Sequence, residues 1–181
     1  RNMEHTMKFM EQRKKIIILS VMLVTDQFIK CIMNTFFRDF DYSFHDLIGL
    51  RVYLNQAELS IFNRELGLQV SMNVLVFINI AAFVIFEYAI WLLKKDGSYN
   101  KVIKIGFLLL EGGMVCSLID KIFWKGSLDY MIIFHSIVDL KDIYLFAGAA
   151  LCIIGLVAVA ASQKKRSFHE GEEKIWRNIK K

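Results

Sequence analysis

Four long apolar runs set the limits on what this chain can fold into. They cover residues 16–37, 70–93, about 102–120, and 142–161. Each is close to the ~20 residues that a helix needs to cross the hydrocarbon core of a bilayer. Hydrophobic residues make up 55% of the 181 residues and proline is absent, whereas a soluble domain is nearer ~45–50% apolar. The sequence therefore predicts an all-α polytopic membrane protein with four transmembrane helices.

Basic residues are distributed unevenly among the segments that flank these runs. Five lie before the first run, four between the second and third, and seven in the tail, against six in the other two links. Since Lys and Arg concentrate on the cytoplasmic side, both termini are expected in the cytoplasm. We therefore divide the chain into a cytoplasmic basic arm (1–15), a four-helix membrane domain (16–161) with an extracytoplasmic loop (38–69), and a cytoplasmic basic tail (162–181). The tail lacks clustered aromatic residues and any known nucleic-acid-binding motif, so no nucleic-acid partner is expected.

Two aspartates stand where the last two runs meet the outer boundary of the membrane. A helix rises ~1.5 Å per residue, which brings Asp120 to that boundary at the end of the third run, and the fourth run begins there at Asp142. Either acid alone could be a helix-end residue facing water, but two at one depth favour a function. Two carboxylates in a desolvated site do not both ionise easily, so one keeps a proton and the other activates water. This is aspartic protease chemistry, and we predict neither a metal nor a cofactor.

Other residues predict structure rather than chemistry. Asp26 and Lys30 are four apart, so on a helix they share a face and can pair. The outer-loop stretch LRVYLNQAELSIF alternates in part and is rich in β-forming residues, which predicts short strands lying on the bundle. The three cysteines lie inside apolar runs without a CxxC pair, which is typical of packing residues: Cys31, Cys116 and Cys152.

Four motifs, in order along the chain, resemble those of the lipoprotein signal peptidase (signal peptidase II) family. TDQFIK (25–30), LNQAELSIF (54–62), GGMVCSLIDKIFWKGSLDYM (112–131) and VDLKD (138–142) are similar to the family's VDQxxK, NxGAAFS, GGxxGNxxDRxxxGxVVDFI and FNxAD. The resemblance implies that Asp120 and Asp142 are the catalytic pair. It also implies a set of substrate-binding or site-supporting residues: Asp26, Lys30, Asn55, Gly113, Ser117, Lys121, Asp129 and Asp139.

The chain departs from the family pattern at several of these positions. Ser117 and Lys121 stand where the motif has Asn and Arg, and Ala57 stands for Gly. Asp139 and Lys141 replace the Asn and Ala of the last motif. These changes leave room for an altered substrate preference or for loss of activity.

The resemblance implies a peptidase of the bacterial cytoplasmic membrane. Its substrate would be a diacylglyceryl-modified prolipoprotein, cut just before the lipidated cysteine, with a small extracytoplasmic β-rich cradle near Asn55. We expect membrane lipid as its surroundings and a monomeric state. The alternatives are a non-catalytic lipoprotein-binding paralogue and, less favoured because the sequence shows no internal repeat, a proton-coupled transporter subunit.

Overall fold

The computed structural model describes residues 2–45, 47–56 and 70–179, and side chains within 10–45, 47–56 and 70–165. Four helices account for most of the described chain: α1 (Asn2–Phe36), α2 (Met72–Lys95), α3 (Lys101–Phe123) and α4 (Leu140–Ile179). Each contains a stretch long and apolar enough to cross a membrane. These stretches are Met10–Phe36, Met72–Lys95, Lys101–Phe123 and Leu140–Lys165. The prediction of a polytopic four-helix membrane protein is confirmed.

Helix α3 lies at the centre of the packing and is the most buried of the four spans. Its paired glycines face different neighbours. A Cβ on Gly112 would collide with the Met22 side chain of α1, and one on Gly113 would lie 2.6 Å from Leu145 Cγ and 3.1 Å from the Lys141 carbonyl oxygen of α4. The two glycines therefore let α1 and α4 approach α3 closely, one on each side.

A four-stranded antiparallel sheet lies at the end of the bundle where α1 and α3 end and α4 begins. Its strands are β1 (Asp41–Phe44), β2 (Ile48–Asn55), β3 (Ser127–Ile133) and β4 (Ser136–Val138), and they are ordered β1-β2-β3-β4. The register pairs Tyr53 with Asp129 and Asn55 with Ser127. Strand β2 confirms the prediction of a strand in LRVYLNQAELSIF, whereas β1 precedes that stretch and was not predicted. The part of that prediction on residues 57–62 lies outside the described residues.

Strands β3 and β4 form a hairpin that the sequence analysis did not predict. The two turn residues are Phe134 and His135, with φ of 47° and 67°. A two-residue turn with positive φ at both positions usually carries Asn or Gly. Because neither is present here, the hairpin has no signal in the local sequence.

The basic arm and tail continue the first and last helices. Helix α1 already begins at Asn2, and α4 extends to Ile179. The backbone thus shows no break at residue 16 or 162, where the sequence analysis placed its boundaries.

Candidate active site

Charged side chains from four elements meet where the helix ends reach the sheet. Five carboxyl groups and two ammonium groups come together there: Asp26 and Lys30 of α1, Asp120 of α3, Asp129 of β3, and Asp139, Lys141 and Asp142 at the start of α4. All but Asp142 are at least nine-tenths buried. Buried charges of this kind persist only when they are paired.

Lys30 joins α1 to the other elements. Its Nζ lies 2.8 Å from Asp26 Oδ2, 2.5 Å from Asp120 Oδ2 and 2.7 Å from Asp139 Oδ2. The predicted pairing of Asp26 with Lys30 is therefore confirmed, as one contact of a larger network. Gln27 strengthens the link, since its Nε2 donates to Asp120 Oδ1 at 2.8 Å. Asp120 is thus held on both carboxylate oxygens, and only 1% of it is exposed.

The first turn of α4 fixes the orientation of Asp142. The Asp142 backbone N–H donates to Asp139 Oδ1, and the Asp139 backbone N–H donates to Asp142 Oδ2, both at 3.2 Å. This is a reciprocal capping box, in which Asp139 is the N-cap and Asp142 takes the place usual for Glu. The cap leaves Asp142 Oδ1 free to face the cluster. The Asp142 side chain is 37% exposed, far more than any other acid in the cluster.

Asp129 lies on β3 beside this helix start. Its Oδ1 accepts a hydrogen bond from Ser127 Oγ at 2.7 Å. Burial raises the pKa of Asp129 to about 6, although Lys141 and the Ser127 hydrogen bond act in the opposite direction. Asp139 behaves differently. Burial alone would raise its pKa, but the ammonium groups of Lys141 and Lys30 outweigh burial and hold it below its usual range.

Three of the acids lie close enough together to hold a cation. Asp129, Asp139 and Asp142 each offer a carboxylate oxygen within 4.8 Å of the others. The Lys141 ammonium lies among them, at 2.5 Å from Asp139 Oδ2 and 3.7 Å from Oδ1 of both Asp129 and Asp142. A lysine side chain therefore occupies the position where a bound cation would lie.

The remaining predicted residues surround this cluster. Asn55 ends β2 directly opposite Ser127, and one residue pair separates this pair from that of Tyr53 and Asp129. Gly113 packs against the start of α4. Lys121 lies one turn beyond Ser117 on α3 and donates to Ser117 Oγ at 2.7 Å. Ser117 Oγ also accepts a hydrogen bond from Asn79 of α2 at 3.2 Å, and this hydrogen bond connects α3 to α2.

Three residues that connect the cluster were missing from the predicted site: Gln27, Ser127 and Lys141. Gln27 was visible as part of TDQFIK, and its place beside Asp26 was the available signal. Lys141 was noted only as a departure from the motif, although it lies between Asp139 and Asp142. Ser127 gave no signal, because its contact with Lys141 depends on the unpredicted strand β3.

The sequence matches the signal peptidase (SPase) II family over residues 18–158. Two solved structures share the fold, each a bacterial membrane enzyme determined by the in meso method. The one at 2.3 Å resolution has a TM-score of 0.63 and 20% identity, covering 82% of this chain and 90% of that chain. The one at 1.9 Å has a TM-score of 0.61 and 21% identity, covering 79% and 92%. No curated protein matches the sequence. The chain belongs to the signal peptidase II family of multi-pass membrane peptidases that process lipoproteins.

Proposed function

We propose that the chain is an aspartic endopeptidase that removes the signal peptide from diacylglyceryl-modified prolipoproteins, cutting just before the lipidated cysteine. One observation carries the proposal. The carboxylate oxygens of Asp129 and Asp142 lie within 4.8 Å of each other, at the end of the bundle, and Asp142 is open to solvent or substrate. Two carboxyl groups this close can share one proton and one water molecule.

The geometry favours Asp129 over Asp120 as the partner of Asp142. Both oxygens of Asp120 already accept hydrogen bonds, Oδ1 from Gln27 and Oδ2 from Lys30, so α1 already engages this carboxyl group. Asp129 contacts Lys141 only at 3.7 Å, and its pKa of about 6 lets it keep a proton close to neutral pH. The sequence analysis assigned Asp120 to the catalytic pair, and that assignment stays an untested prediction. In our proposal Asp120 instead positions the cluster through Lys30.

The two acids then take complementary roles in peptide hydrolysis. Ionised Asp142 removes a proton from a water molecule as the water oxygen attacks the carbonyl carbon of the scissile bond. Protonated Asp129 donates its proton to the carbonyl oxygen, which gives a neutral tetrahedral diol. Collapse of the diol breaks the C–N bond, with the proton on Asp142 passing to the leaving nitrogen and a hydroxyl proton returning to Asp129. Asp142 takes the role of base because its side chain is the more exposed of the two, 37% against 8% for Asp129, so a water molecule can reach it.

The surface around the sheet suits a substrate that arrives within the membrane. Large apolar side chains of the sheet and the turn before it are exposed: Phe40 (46%), Tyr42 (60%), Phe44 (62%) and Ile48 (72%). Aromatic side chains prefer the headgroup layer of a bilayer. This supports a sheet that rests on the membrane surface, where a lipidated peptide could reach Asp142 from the bilayer.

The test is cleavage of a diacylglyceryl prolipoprotein by the purified protein in detergent, with products identified by mass spectrometry. The wild type should release the signal peptide. Asp142→Asn and Asp129→Asn should each lower kcat by ~10²–10⁴-fold, the usual contribution of a general acid or base. Asp120→Asn should retain more activity than either, because it acts through Lys30.

The exposed Asp96, at the far end of α2, provides the matched control, and Asp96→Asn should cleave as the wild type does. Loss of activity in Asp120→Asn together with full activity in Asp129→Asn would return Asp120 to the pair. Substrate binding without any cleavage by the wild type would instead support the non-catalytic lipoprotein-binding alternative.

A further inference from the structure

Lys141 has an unusual position for a lysine at the start of a transmembrane helix. It is the second residue of α4 and only 6% exposed. Its ammonium lies within 4 Å of five oxygen-bearing side chains: Asp139 (2.5 Å), Ser127 (2.6 Å), Asp120 (3.5 Å), Asp129 (3.7 Å) and Asp142 (3.7 Å). These residues come from α3, from β3 and from the start of α4. Apart from α1, every element that contributes an acid to the cluster therefore has a residue within 4 Å of the Lys141 ammonium.

The acids around Lys141 would repel one another without a cation between them. Asp129, Asp139 and Asp142 lie within 4.8 Å of one another in a buried setting, where like charges are poorly screened. Lys30 does not fill this role. Its ion pairs in the described part of the chain are with Asp26, Asp120 and Asp139, on the α1 side of the cluster. Within the described part of the chain, Lys141 is the ammonium that lies within 4 Å of both Asp129 and Asp142.

Two contacts hold Lys141 in this position. The shortest contact of the Lys141 ammonium is its ion pair with Asp139, and Asp139 is itself held in place as the N-cap of α4. Ser127 Oγ accepts from Lys141 and donates to Asp129, so it links the ammonium to that carboxyl group through two hydrogen bonds. A lysine bound in this way has little freedom to turn toward solvent.

We propose that Lys141 is a positioning residue for the peptidase reaction, the tethered cation that holds Asp129 and Asp142 at working distance, with Asp139 as the anion that keeps it in place. The inference rests on the proposed function. Asp139 and Lys141 replace an Asn and an Ala of the motif that the chain resembles, so one added negative charge accompanies one added positive charge. The two residues should therefore be energetically coupled, and each should be tolerated best in the presence of the other.

The experiment is a double-mutant cycle on lipoprotein cleavage, using Lys141→Ala, Asp139→Asn and the double variant, with Lys141→Arg as the conservative replacement. Both kcat and KM are measured, together with the unfolding temperature of each protein. Lys141→Ala should lower kcat by ~100-fold with KM changed by less than about threefold, because the acids separate while the substrate surface stays intact. Asp139→Asn should lower kcat by about tenfold, less than Lys141→Ala does, because Lys141 loses its anion while Asn still caps the helix. The double variant should recover at least about tenfold over Lys141→Ala, and Lys141→Arg should stay within about tenfold of the wild type.

A second readout does not depend on activity. Lys141→Ala leaves three carboxylates around an unoccupied position, so millimolar Ca²⁺ should raise its unfolding temperature while leaving the wild type unchanged. The double variant should respond less than Lys141→Ala, because Asn replaces one of the three carboxylates. A Lys141→Ala enzyme with wild-type kcat, a double variant no better than Lys141→Ala, or an absent Ca²⁺ effect would each overturn the inference. A wild type that does not cleave is a different result. It contradicts the proposed function, and the Ca²⁺ comparison still decides whether Lys141 occupies a cation position.

Discussion

At the scale of single residues, Asp129 and Asp139 show how neighbours separate two buried acids. Both lie beside Lys141, but Asp139 touches two ammonium groups at 2.5 and 2.7 Å, whereas the nearest ammonium to Asp129 is 3.7 Å away. The pKa of Asp139 is therefore lowered, while burial raises that of Asp129 to about 6. Asp129, the proposed catalytic acid, therefore keeps its proton at a pH where Asp139, the anion that holds Lys141, is already ionised.

The pKa of Asp129 predicts the alkaline limb of the pH profile. If protonated Asp129 is the acid, its reactive form declines tenfold for each pH unit above about 6, so kcat/KM should fall as pH rises through that value. Ser127→Ala removes the hydrogen bond that favours the ionised carboxylate, and so should move this limb to higher pH. The measurement is the cleavage rate from pH 4 to 9. A limb that stays in place in Ser127→Ala would argue against Asp129 as the acid.

The same shift predicts an effect on stability. The folded-state pKa of Asp129 lies above its ordinary value of 3.8, so between about pH 4 and 6 the folded protein binds more protons than the unfolded one. The free energy of unfolding should therefore decrease as pH rises through this window, by at most ~3 kcal/mol from this residue. Asp129→Asn removes this contribution, so at pH 7 it should unfold at a higher temperature than the wild type. The difference should vanish near pH 4. An equal difference at both pH values would show that the effect is not ionisation of Asp129.

At the scale of elements, the sequence predicted the helices well and the polar connections poorly. A membrane span is recognisable because its signal is summed over ~20 residues. The β3–β4 hairpin depends instead on the two turn residues Phe134 and His135, whose positive φ values are imposed by strand pairing rather than by their own preference. Lys141 was missed for a related reason. In the sequence, a lysine between two aspartates is typical of a solvent-exposed helix start. The burial of Lys141 becomes visible only in the folded structure, where the sheet lies beside it.

The contact between α3 and α4 gives a prediction for an element. A Cβ on Gly106 would lie 2.7 Å from Cys152 Sγ and 2.9 Å from two backbone atoms, the Cys152 nitrogen and the Gly148 oxygen. The backbone atoms cannot move aside without separating the helices. Gly106→Val should therefore lower the free energy of unfolding by ~1–3 kcal/mol, as overpacking usually does. Ala150→Val, at an exposed position of α4, is the matched control and should change the unfolding temperature little. Equal effects of the two substitutions would mean that α3 and α4 are not closely packed at Gly106.

At the scale of the whole molecule, charged groups gather at two levels of the bundle. The candidate active site lies at the sheet end. Toward the other end, Lys15 of α1 pairs with Glu111 of α3 at 2.8 Å and with Glu87 of α2 at 3.2 Å. Glu111 is the eleventh of the 23 residues of α3, so this second group lies within the membrane-spanning part of the bundle. Each cluster also ties α1 to α3, which fixes the angle at which α1 approaches the site.

Orientation in the membrane gives the last prediction. The excess of Lys and Arg in the arm, the α2–α3 link and the tail predicts that these segments are cytoplasmic and that the sheet end is outside. Single cysteines at Asp39, an exposed residue between α1 and β1, and at Ser98, between α2 and α3, test this after Cys31, Cys116 and Cys152 are replaced. In intact cells a membrane-impermeant maleimide should label the cysteine at position 39 and not the one at position 98, while both are labelled after the membrane is opened.

The cysteine-free protein must still cleave its substrate for the labelling to describe the active fold. Labelling at position 98 alone in intact cells would place Asp129 and Asp142 on the cytoplasmic face. A lipoprotein precursor whose cleavage site lies at the outer surface could not reach the two acids on that face.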